Sequence, residues 1–192
     1  HIYGIIAIAD QLKPQTKDVI RRLRQQQIDV VMLTGDNEIT AAAIAEAAGI
    51  EHVIAQVLPD QKGEEVKKLQ AQGKVVAMVG DGINDAVALT QSEVGIAIGS
   101  GSDVAVESAD IVLVKDNIQD VETAIRLSKA VIRNIKQNLF WAFFYNTLGI
   151  PIAAGVLHLF GGPLLSPVFA GAAMAFSSVS VVSNALRLRN FT

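Results

Sequence analysis

Residues 137–186 form a run of 50 positions without Asp, Glu, Lys or Arg. A helical crossing of a bilayer takes about 20 residues, so the run has room for two crossings. A Gly- and Pro-containing stretch at residues 158–163 divides it into segments 138–157 and 164–186. Cations flank the outer ends of the run, which by the positive-inside tendency places both ends on the cytoplasmic side. We predict a two-helix transmembrane hairpin; the alternative is a buried helical hairpin within a large soluble core.

The residues before this run alternate short apolar stretches with helical patterns. Strand-like stretches occupy residues 2–9, 29–33, 74–79, 94–98 and 111–114, and helical patterns occupy residues 14–27, 40–48, 61–72 and 86–91. Pro14 is expected in a first helical turn, and Gly49 just after a helix end. The alternation predicts an α/β unit on a mostly parallel sheet with helices on both faces. A further helix from about residue 118 leads toward the charge-free run.

The composition excludes several classes of function. The 192 residues carry a net charge of −3, and no basic stripe with interleaved aromatic residues occurs, so nucleic acid is not an expected partner. Without cysteine, the chain forms neither disulfides nor thiolate metal sites. It begins at His1 with no Met and no signal sequence, and we expect it to be a piece of a longer protein.

Three polar motifs lie where ligands bind in open α/β sheets, beyond the carboxyl ends of strands or at helix starts. They are Thr34-Gly35-Asp36, Pro59-Asp60-Gln61-Lys62 and Gly80-Asp81-Gly82-Ile83-Asn84-Asp85. A threonine hydroxyl with backbone N–H groups suits phosphate oxygens, and a lysine adds a cation to the positive end of a helix. Two carboxylates on a Gly-rich turn suit Mg²⁺. Taken singly, each motif has a structural alternative, which is a common turn for the first, a solvated helix residue for Lys62, and a helix N-cap with turn residues for the third. Their combination and order predict a phosphate site.

This order of motifs resembles the haloacid-dehalogenase-like phosphorylation domain of P-type ATPases, as do residues 95–99 and 103–110. The resemblance implies that Thr34 and Lys62 contact a phosphoryl group, and that Asp81 ligates Mg²⁺. It further implies supporting roles for Asn84 and Asp85 at the phosphate and the metal, and roles in ATP or phosphate binding for Gly35, Asp36, Gly80 and Gly82. Val87 departs from the family, which commonly has proline there, and a local change at the helix start is expected.

The family phosphorylates an aspartate within a DKTGT motif, and this sequence contains none. Asp10 is followed by Gln11, Leu12 and Lys13, which match neither that motif nor the Asp-x-Asp of soluble relatives. The resemblance therefore places the nucleophile, the nucleotide domain and the actuator domain elsewhere in the same pump. It also implies that this chain alone forms no phosphoenzyme with ATP and Mg²⁺.

Two motifs in the charge-free run resemble the copper branch of the heavy-metal P-type ATPases: Tyr145-Asn146 and Met174-x-x-Ser177-Ser178. Met174 and Ser178 share one helical face, and a thioether suits Cu(I). The resemblance implies that Tyr145, Asn146, Met174 and Ser178 line a path for Cu(I) or Ag(I). The family's Cys-Pro-Cys ligands are then supplied by another helix of the pump. Zinc and cadmium pumps place Lys and Asp in these two helices, and the run has neither.

The sequence thus predicts the C-terminal part of a Cu(I)-exporting P-type ATPase of the cell membrane. The predicted fold is a haloacid-dehalogenase-like (Rossmann-type) α/β unit with a partial parallel sheet, followed by the transmembrane hairpin. The predicted divisions are a phosphorylation domain (1–117), a connecting helix (118–136), two crossings (137–157 and 164–186), an extracytoplasmic loop (158–163) and a cytoplasmic tail (187–192). The alternatives are a membrane-anchored phosphatase-like domain, which needs the missing Asp-x-Asp, and a non-catalytic fragment.

Overall fold

The computed structural model describes residues 12–81, 83–99, 103–162 and 166–191. The strands are β1 (Val31–Leu33), β2 (His52–Ile54), β3 (Ala77–Gly80), β4 (Val94–Ile98) and β5 (Ile111–Leu113). The helices are α1 (Thr16–Gln25), α2 (Glu38–Ala48), α3 (Lys62–Ala71), α4 (Ala86–Gln91), α5 (Asp103–Ser108), α6 (Gln119–Ala153), α7 (Val156–Leu159) and α8 (Pro167–Leu186), with 3-10 turns at Pro59–Gln61, Ile83–Asp85 and Arg187–Asn190. Two compact units, His1–Thr123 and Ala124–Thr192, divide the chain within α6.

Every strand pair among the described residues is parallel. In the two-stranded sheet, Val31 of β1 lies opposite His52 of β2. The three-stranded sheet has the order β3-β4-β5. Parallel neighbours need a crossover connection, and α2 and α4 provide it between β1 and β2 and between β3 and β4. The predicted α/β fold with parallel sheet is confirmed, while the predicted strand at residues 2–9 and Asp10 lie outside the described residues.

The helix ends follow the residues expected to form them, with one correction. Asn37 caps α2 by accepting the Thr40 N–H at 3.0 Å, and Gly49 ends the helix in the left-handed region at φ 76°. Pro14, however, precedes the first turn of α1, which begins at Thr16 after a left-handed Gln15. β2 and α5 were not predicted; β2 forms by pairing with β1, and a single sequence does not show that pairing.

The core of the first unit forms where helices cover the sheets. Val19, Ile20 and Leu23 share the buried face of α1, and Leu89 of α4 and Ile96 of β4 are fully buried. A β-carbon at Gly95 would lie 2.8 Å from the Leu89 carbonyl oxygen, so α4 approaches β4 more closely than a side chain at this position would permit. The helix that directly follows the third motif is therefore held against the sheet.

The Glu93 side chain, just before β4, is hydrogen-bonded to the backbone just before β3. One carboxylate oxygen accepts the Val76 backbone N–H at 2.7 Å, and the other accepts the Gln70 side-chain amide at 2.8 Å. The hydrogen bond from Val76 is the main cause of a pKa for Glu93 below its ordinary value. The folded state therefore binds this proton more weakly than the unfolded chain does.

We expect Glu93→Gln to remove part of the acid sensitivity of the fold. A depressed folded-state pKa gives stability that is present above the unfolded-state pKa and lost as the pH falls through the folded-state pKa. The wild type should thus lose more stability than the variant between about pH 7 and about pH 3, measured as the shift of the urea midpoint. Equal shifts in the two proteins would contradict the assignment. Glu51→Gln serves as the control, because that exposed carboxylate only pairs with Arg24.

Asparagine side chains join α6 to α8 in the second unit. Asn134 donates to the Asn184 backbone oxygen at 2.7 Å, Asn138 donates to Asn134 at 3.1 Å, and Asn184 donates to Asn138 at 2.9 Å. The Arg126 guanidinium also lies 5.5 Å from the centre of the Phe191 ring. These contacts bring the first turns of α6 in this unit beside the end of α8.

The predicted transmembrane hairpin is not supported. In the part of the chain that the structure describes, no helix combines the length and the hydropathy needed to cross a membrane. The predicted connecting helix and first crossing are parts of one helix, α6, which ends at Ala153 before the short α7. The prediction rested on missing charge, yet uncharged polar residues such as Asn138, Asn146 and Asn184 still carry a desolvation cost in a bilayer.

Candidate functional site

The Thr34-Gly35-Asp36 motif forms a hydrogen-bonded loop directly after β1. The Thr34 hydroxyl donates to the Asp36 carboxylate at 3.0 Å and accepts the Asp36 N–H at 3.1 Å. Backbone bonds from Val57 to Thr34 and from Gln56 to Asp36 attach the loop to the segment after β2. The hydroxyl proton is thus committed to Asp36, and it must leave that carboxylate before the hydroxyl can donate to a phosphoryl oxygen.

Lys62 and Asp85 form a nearly buried ion pair between the start of α3 and the turn after β3. The Lys62 ammonium donates to Asp85 Oδ1 at 2.6 Å, and the two side chains are only 16% and 10% exposed. The structure therefore brings together two predicted site residues that lie 23 positions apart in the sequence. Among the described residues, no hydrogen bond or ion pair joins this pair to the Thr34 loop.

Gly80 makes room for the Asp85 side chain. A β-carbon at this last residue of β3 would lie 2.7 Å from both Cβ and Oδ2 of Asp85, well inside van der Waals contact. The carboxylate therefore lies against the strand end with one oxygen facing the backbone and the other bonded to Lys62. Gly80 was predicted as a binding residue, and its place in the structure is that of a spacer for Asp85.

Gly63, next to Lys62, also makes room for a neighbouring side chain, and it is not among the predicted site residues. A β-carbon at Gly63 would lie 2.8 Å from Val87 Cγ1, so the start of α3 packs directly on α4. Val87 is the position where the family commonly has proline. The signal that was missed is a glycine inside a predicted helix, which costs about 1 kcal/mol relative to alanine and suggests a close contact.

We expect the sign of the Gly63→Ala effect to depend on residue 87. In the wild type the new methyl group meets a β-branched side chain with little rotamer freedom, and we expect a loss of about 1 kcal/mol in the free energy of unfolding. In a Val87→Ala background the contact disappears, and helix propensity should make the same substitution stabilising by up to about 1 kcal/mol. Urea unfolding of the four proteins measures this; equal effects in both backgrounds would exclude the contact.

The two predicted Mg²⁺ ligands occupy different surroundings. Asp81 follows β3 directly and is exposed, as is Asn84 in the next turn, whereas Asp85 is buried against Lys62. Among the described residues, no three His, Asp or Glu side chains cluster to hold a metal. Mg²⁺ is commonly bound through one or two carboxylates, water and substrate phosphates, and the exposed Asp81 fits that requirement. Gly82 lies outside the described residues.

The four residues predicted to line a metal path lie on α6 and α8. Asn146 donates to its own helix at the Ala142 carbonyl, 2.9 Å away, and Ser178 donates to the Met174 carbonyl at 3.2 Å. The Tyr145 ring lies 6.1 Å from the Trp141 ring. The Met174 side chain is largely exposed. These local bonds use one amide N–H of Asn146 and the hydroxyl proton of Ser178, and they leave the side-chain oxygen of each residue available to a ligand.

Known proteins are similar to this chain over its whole length. The family model for haloacid dehalogenase-like hydrolases matches residues 1–92. The chain is 61% identical over 191 residues to a probable copper-transporting ATPase PacS of Synechococcus elongatus, a match that covers 100% of this chain and 26% of that protein. It is 54% identical over 190 residues to a silver exporting P-type ATPase of Salmonella typhimurium, covering 99% of this chain and 23% of that protein. The homologues of this chain are copper- and silver-transporting P-type ATPases.

A solved P-type structure is similar in fold as well as in sequence. A zinc-transporting PIB-type ATPase in an E2.Pi state matches with a TM-score of 0.80 and 38% identity, covering 94% of this chain and 28% of that protein. The chain thus spans about a quarter of the length of the relatives it matches. The haloacid-dehalogenase-like fold expected from the three motifs fits the family model over residues 1–92, and the homologues are membrane P-type ATPases.

Proposed function

We propose that this chain is the C-terminal portion of an ATP-driven membrane pump that exports Cu(I) or Ag(I) through a phospho-aspartate intermediate. The observation that carries the proposal is the nearly buried Lys62–Asp85 pair at the carboxyl end of β3, in a chain 61% identical to a probable copper-transporting ATPase. The α/β unit lies on the cytoplasmic side, where ATP is available. The phosphorylated aspartate and the actuator and nucleotide domains belong to the remainder of the pump.

Lys62 and Thr34 supply the hydrogen-bond donors for the phosphoryl group in this proposal. Asp85 accepts one of the three ammonium N–H bonds, which leaves two for phosphoryl oxygens and fixes the cation at the N-terminal end of α3. The Thr34 hydroxyl turns from Asp36 to the phosphoryl group, and Asn84 adds an amide donor. Because Asp85 already positions Lys62 before the reaction, the ammonium group stabilises charge on the transferring group without reorganisation, whereas the Thr34 hydroxyl must first turn away from Asp36.

Asp81 is the residue proposed to hold Mg²⁺, with ATP as the phosphoryl donor. When bound, Mg²⁺ neutralises negative charge on phosphoryl oxygens. Asp85 acts on the phosphate site through Lys62, because its carboxylate accepts a hydrogen bond from the Lys62 ammonium group. Gly80 has no side chain and therefore leaves room for that carboxylate. Gly35 keeps the loop after β1 free of a side chain, Gly82 is assigned to phosphate or ATP binding from the sequence alone, and Asp36 is assigned to the nucleotide side.

Met174, Ser178, Asn146 and Tyr145 are proposed to line the metal path. The thioether of Met174 is the soft ligand in this set, and Cu(I) and Ag(I) are soft cations. The oxygen atoms of Asn146, Tyr145 and Ser178 are harder ligands, so we assign them to weak, transient contacts with the moving ion and not to a tight binding site. A chain without cysteine therefore depends on thiolates from the remainder of the pump for its strongest ligands.

The deciding experiment measures ATP hydrolysis by the longer protein, in lipid vesicles, against Cu(I), Ag(I), Zn²⁺ and Cd²⁺. We expect stimulation by the two monovalent ions alone. Asp81→Asn should lower turnover with every ion by at least about a hundredfold, because the group acts on the phosphoryl step. Met174→Ala should weaken only the stimulation by Cu(I) and Ag(I).

Val179→Ala is the matched control for Met174, because it shortens another exposed side chain of α8. Equal copper-stimulated turnover in Met174→Ala and Val179→Ala would contradict the metal path. The 192-residue chain incubated with labelled ATP and Mg²⁺ should form no acid-stable phosphate. A labelled band on it would show that the nucleophile lies within this sequence.

A further inference from the structure

The second unit carries all its charge as cations at one end. Residues 124–192 contain no Asp or Glu, and their Lys and Arg residues are Arg126, Lys129, Arg133, Lys136, Arg187 and Arg189. The asparagine contacts between Asn134, Asn138 and Asn184 bring the two basic stretches together. The unit supplies no Asp or Glu side chain as a counter-charge for Arg133 and Arg187, and an anion from outside can take that place.

Arg133 and Arg187 line one cleft between α6 and the end of α8. The cavity measures about 440 Å³, and its apolar wall includes Leu188 and Phe191. Among the described residues, neither guanidinium has a carboxylate partner. The Asn134 and Asn184 amides each donate a hydrogen bond between the helices, and the two guanidiniums are the cationic donors that line the cleft.

A second cavity of about 440 Å³ shares Arg133 with the first. Its lining combines the cations Lys129 and Lys136 with the apolar side chains of Ile132, Phe140 and Trp141. The basic residues are followed, one to two helical turns along α6, by exposed aromatic rings. Cations beside tryptophan and other aromatic side chains are typical of a protein surface at the level of lipid headgroups.

We propose that the Arg133–Arg187 cleft binds the phosphate of an anionic phospholipid whose acyl chain lies along Ile132, Phe140 and Trp141. Guanidinium groups form bidentate hydrogen bonds with phosphate oxygens, and clustered cations attract anionic lipids by about 1 kcal/mol each. A free phosphate ion would satisfy the arginines and leave the aromatic wall uncovered. A lipid covers both, which is why the occupant is assigned to the bilayer.

The test uses the fluorescence of Trp141, the only tryptophan of the chain. The 192-residue chain in neutral detergent is titrated with dioctanoyl phosphatidylglycerol, and a saturable blue shift of the emission is expected. Arg133→Gln and Arg187→Gln should each weaken binding about tenfold, because each removes a charge-assisted hydrogen bond. Arg189→Gln is the matched control, because it removes the same charge from the same 3-10 turn outside the cleft; its affinity should stay within about twofold.

Three results would overturn the proposal. Equal shifts with dioctanoyl phosphatidylcholine would mean simple apolar adsorption, and an equal loss in Arg189→Gln would mean non-specific attraction by net charge. Displacement of the lipid by inorganic phosphate at matched concentration would make the cleft a free-anion site. Far-UV circular dichroism shows whether each variant still folds. The milder Arg133→Lys variant keeps the positive charge and so separates a loss of the lipid contact from a loss of folding. Neither ATP nor copper is present, so this test and the pump proposal fail independently.

Discussion

Lys62→Met is expected to lower the free energy of unfolding by about 3 kcal/mol, because it leaves the carboxylate of Asp85 without its cation in a nearly buried position. Urea unfolding of the chain in neutral detergent, followed by far-UV circular dichroism, measures the change. The large value follows from desolvation, because the Asp85 carboxylate loses the hydrogen bond that compensates for its burial.

Lys67→Met on the same helix is the control for this prediction. Lys67 pairs with Glu64 at the same 2.6 Å, but both side chains are more than half exposed, so we expect a loss below about 0.5 kcal/mol. In the double variant Lys62→Met with Asp85→Asn, most of the lost stability should return, because no uncompensated charge remains. Similar losses of unfolding free energy for Lys62→Met and Lys67→Met, or additive losses in the double variant, would contradict the prediction. Either result would show that burial does not determine how much the Lys62–Asp85 pair contributes to stability.

Gly80→Ala is expected to cost about 2–3 kcal/mol, because the added methyl group would occupy the position of the Asp85 side chain. Asp85 must then move, which lengthens its bond to Lys62. In the longer protein the same substitution should lower phosphoryl turnover, since both residues are assigned to the phosphate site. The measurements are the urea midpoint of the chain and the turnover of the pump.

Two controls separate this clash from a general effect of replacing glycine. Gly149→Ala lies in α6 with nothing within 4 Å of the added methyl group, and helix propensity predicts a gain of up to about 1 kcal/mol. In an Asp85→Gly background the cost of Gly80→Ala should largely disappear, because the two positions then no longer overlap. A cost that persists in that background would place the strain elsewhere.

The parallel α/β fold could be predicted from the sequence, while the predicted membrane hairpin is not supported by the structure. Alternating apolar strands and amphipathic helices are local patterns, and β4 and α4 occupy the residues that the pattern indicated. The hairpin was inferred from missing charge, which is a weaker criterion than hydropathy because amides and hydroxyls are also costly to bury. Short elements such as β2 depend on pairing with a neighbouring strand, and a single sequence does not show that pairing.

The sequence by itself identified the groups proposed for the phosphate site: a threonine hydroxyl, a lysine and two aspartates, each next to a strand or helix end. Only the tertiary structure decided how the two aspartates differ. Asp85 is buried against Gly80 and bound to Lys62, whereas Asp81 is exposed. The physical reason is that burial and ion pairing depend on the packing of α3 against α4, through Gly63 and Val87, which are distant in the sequence.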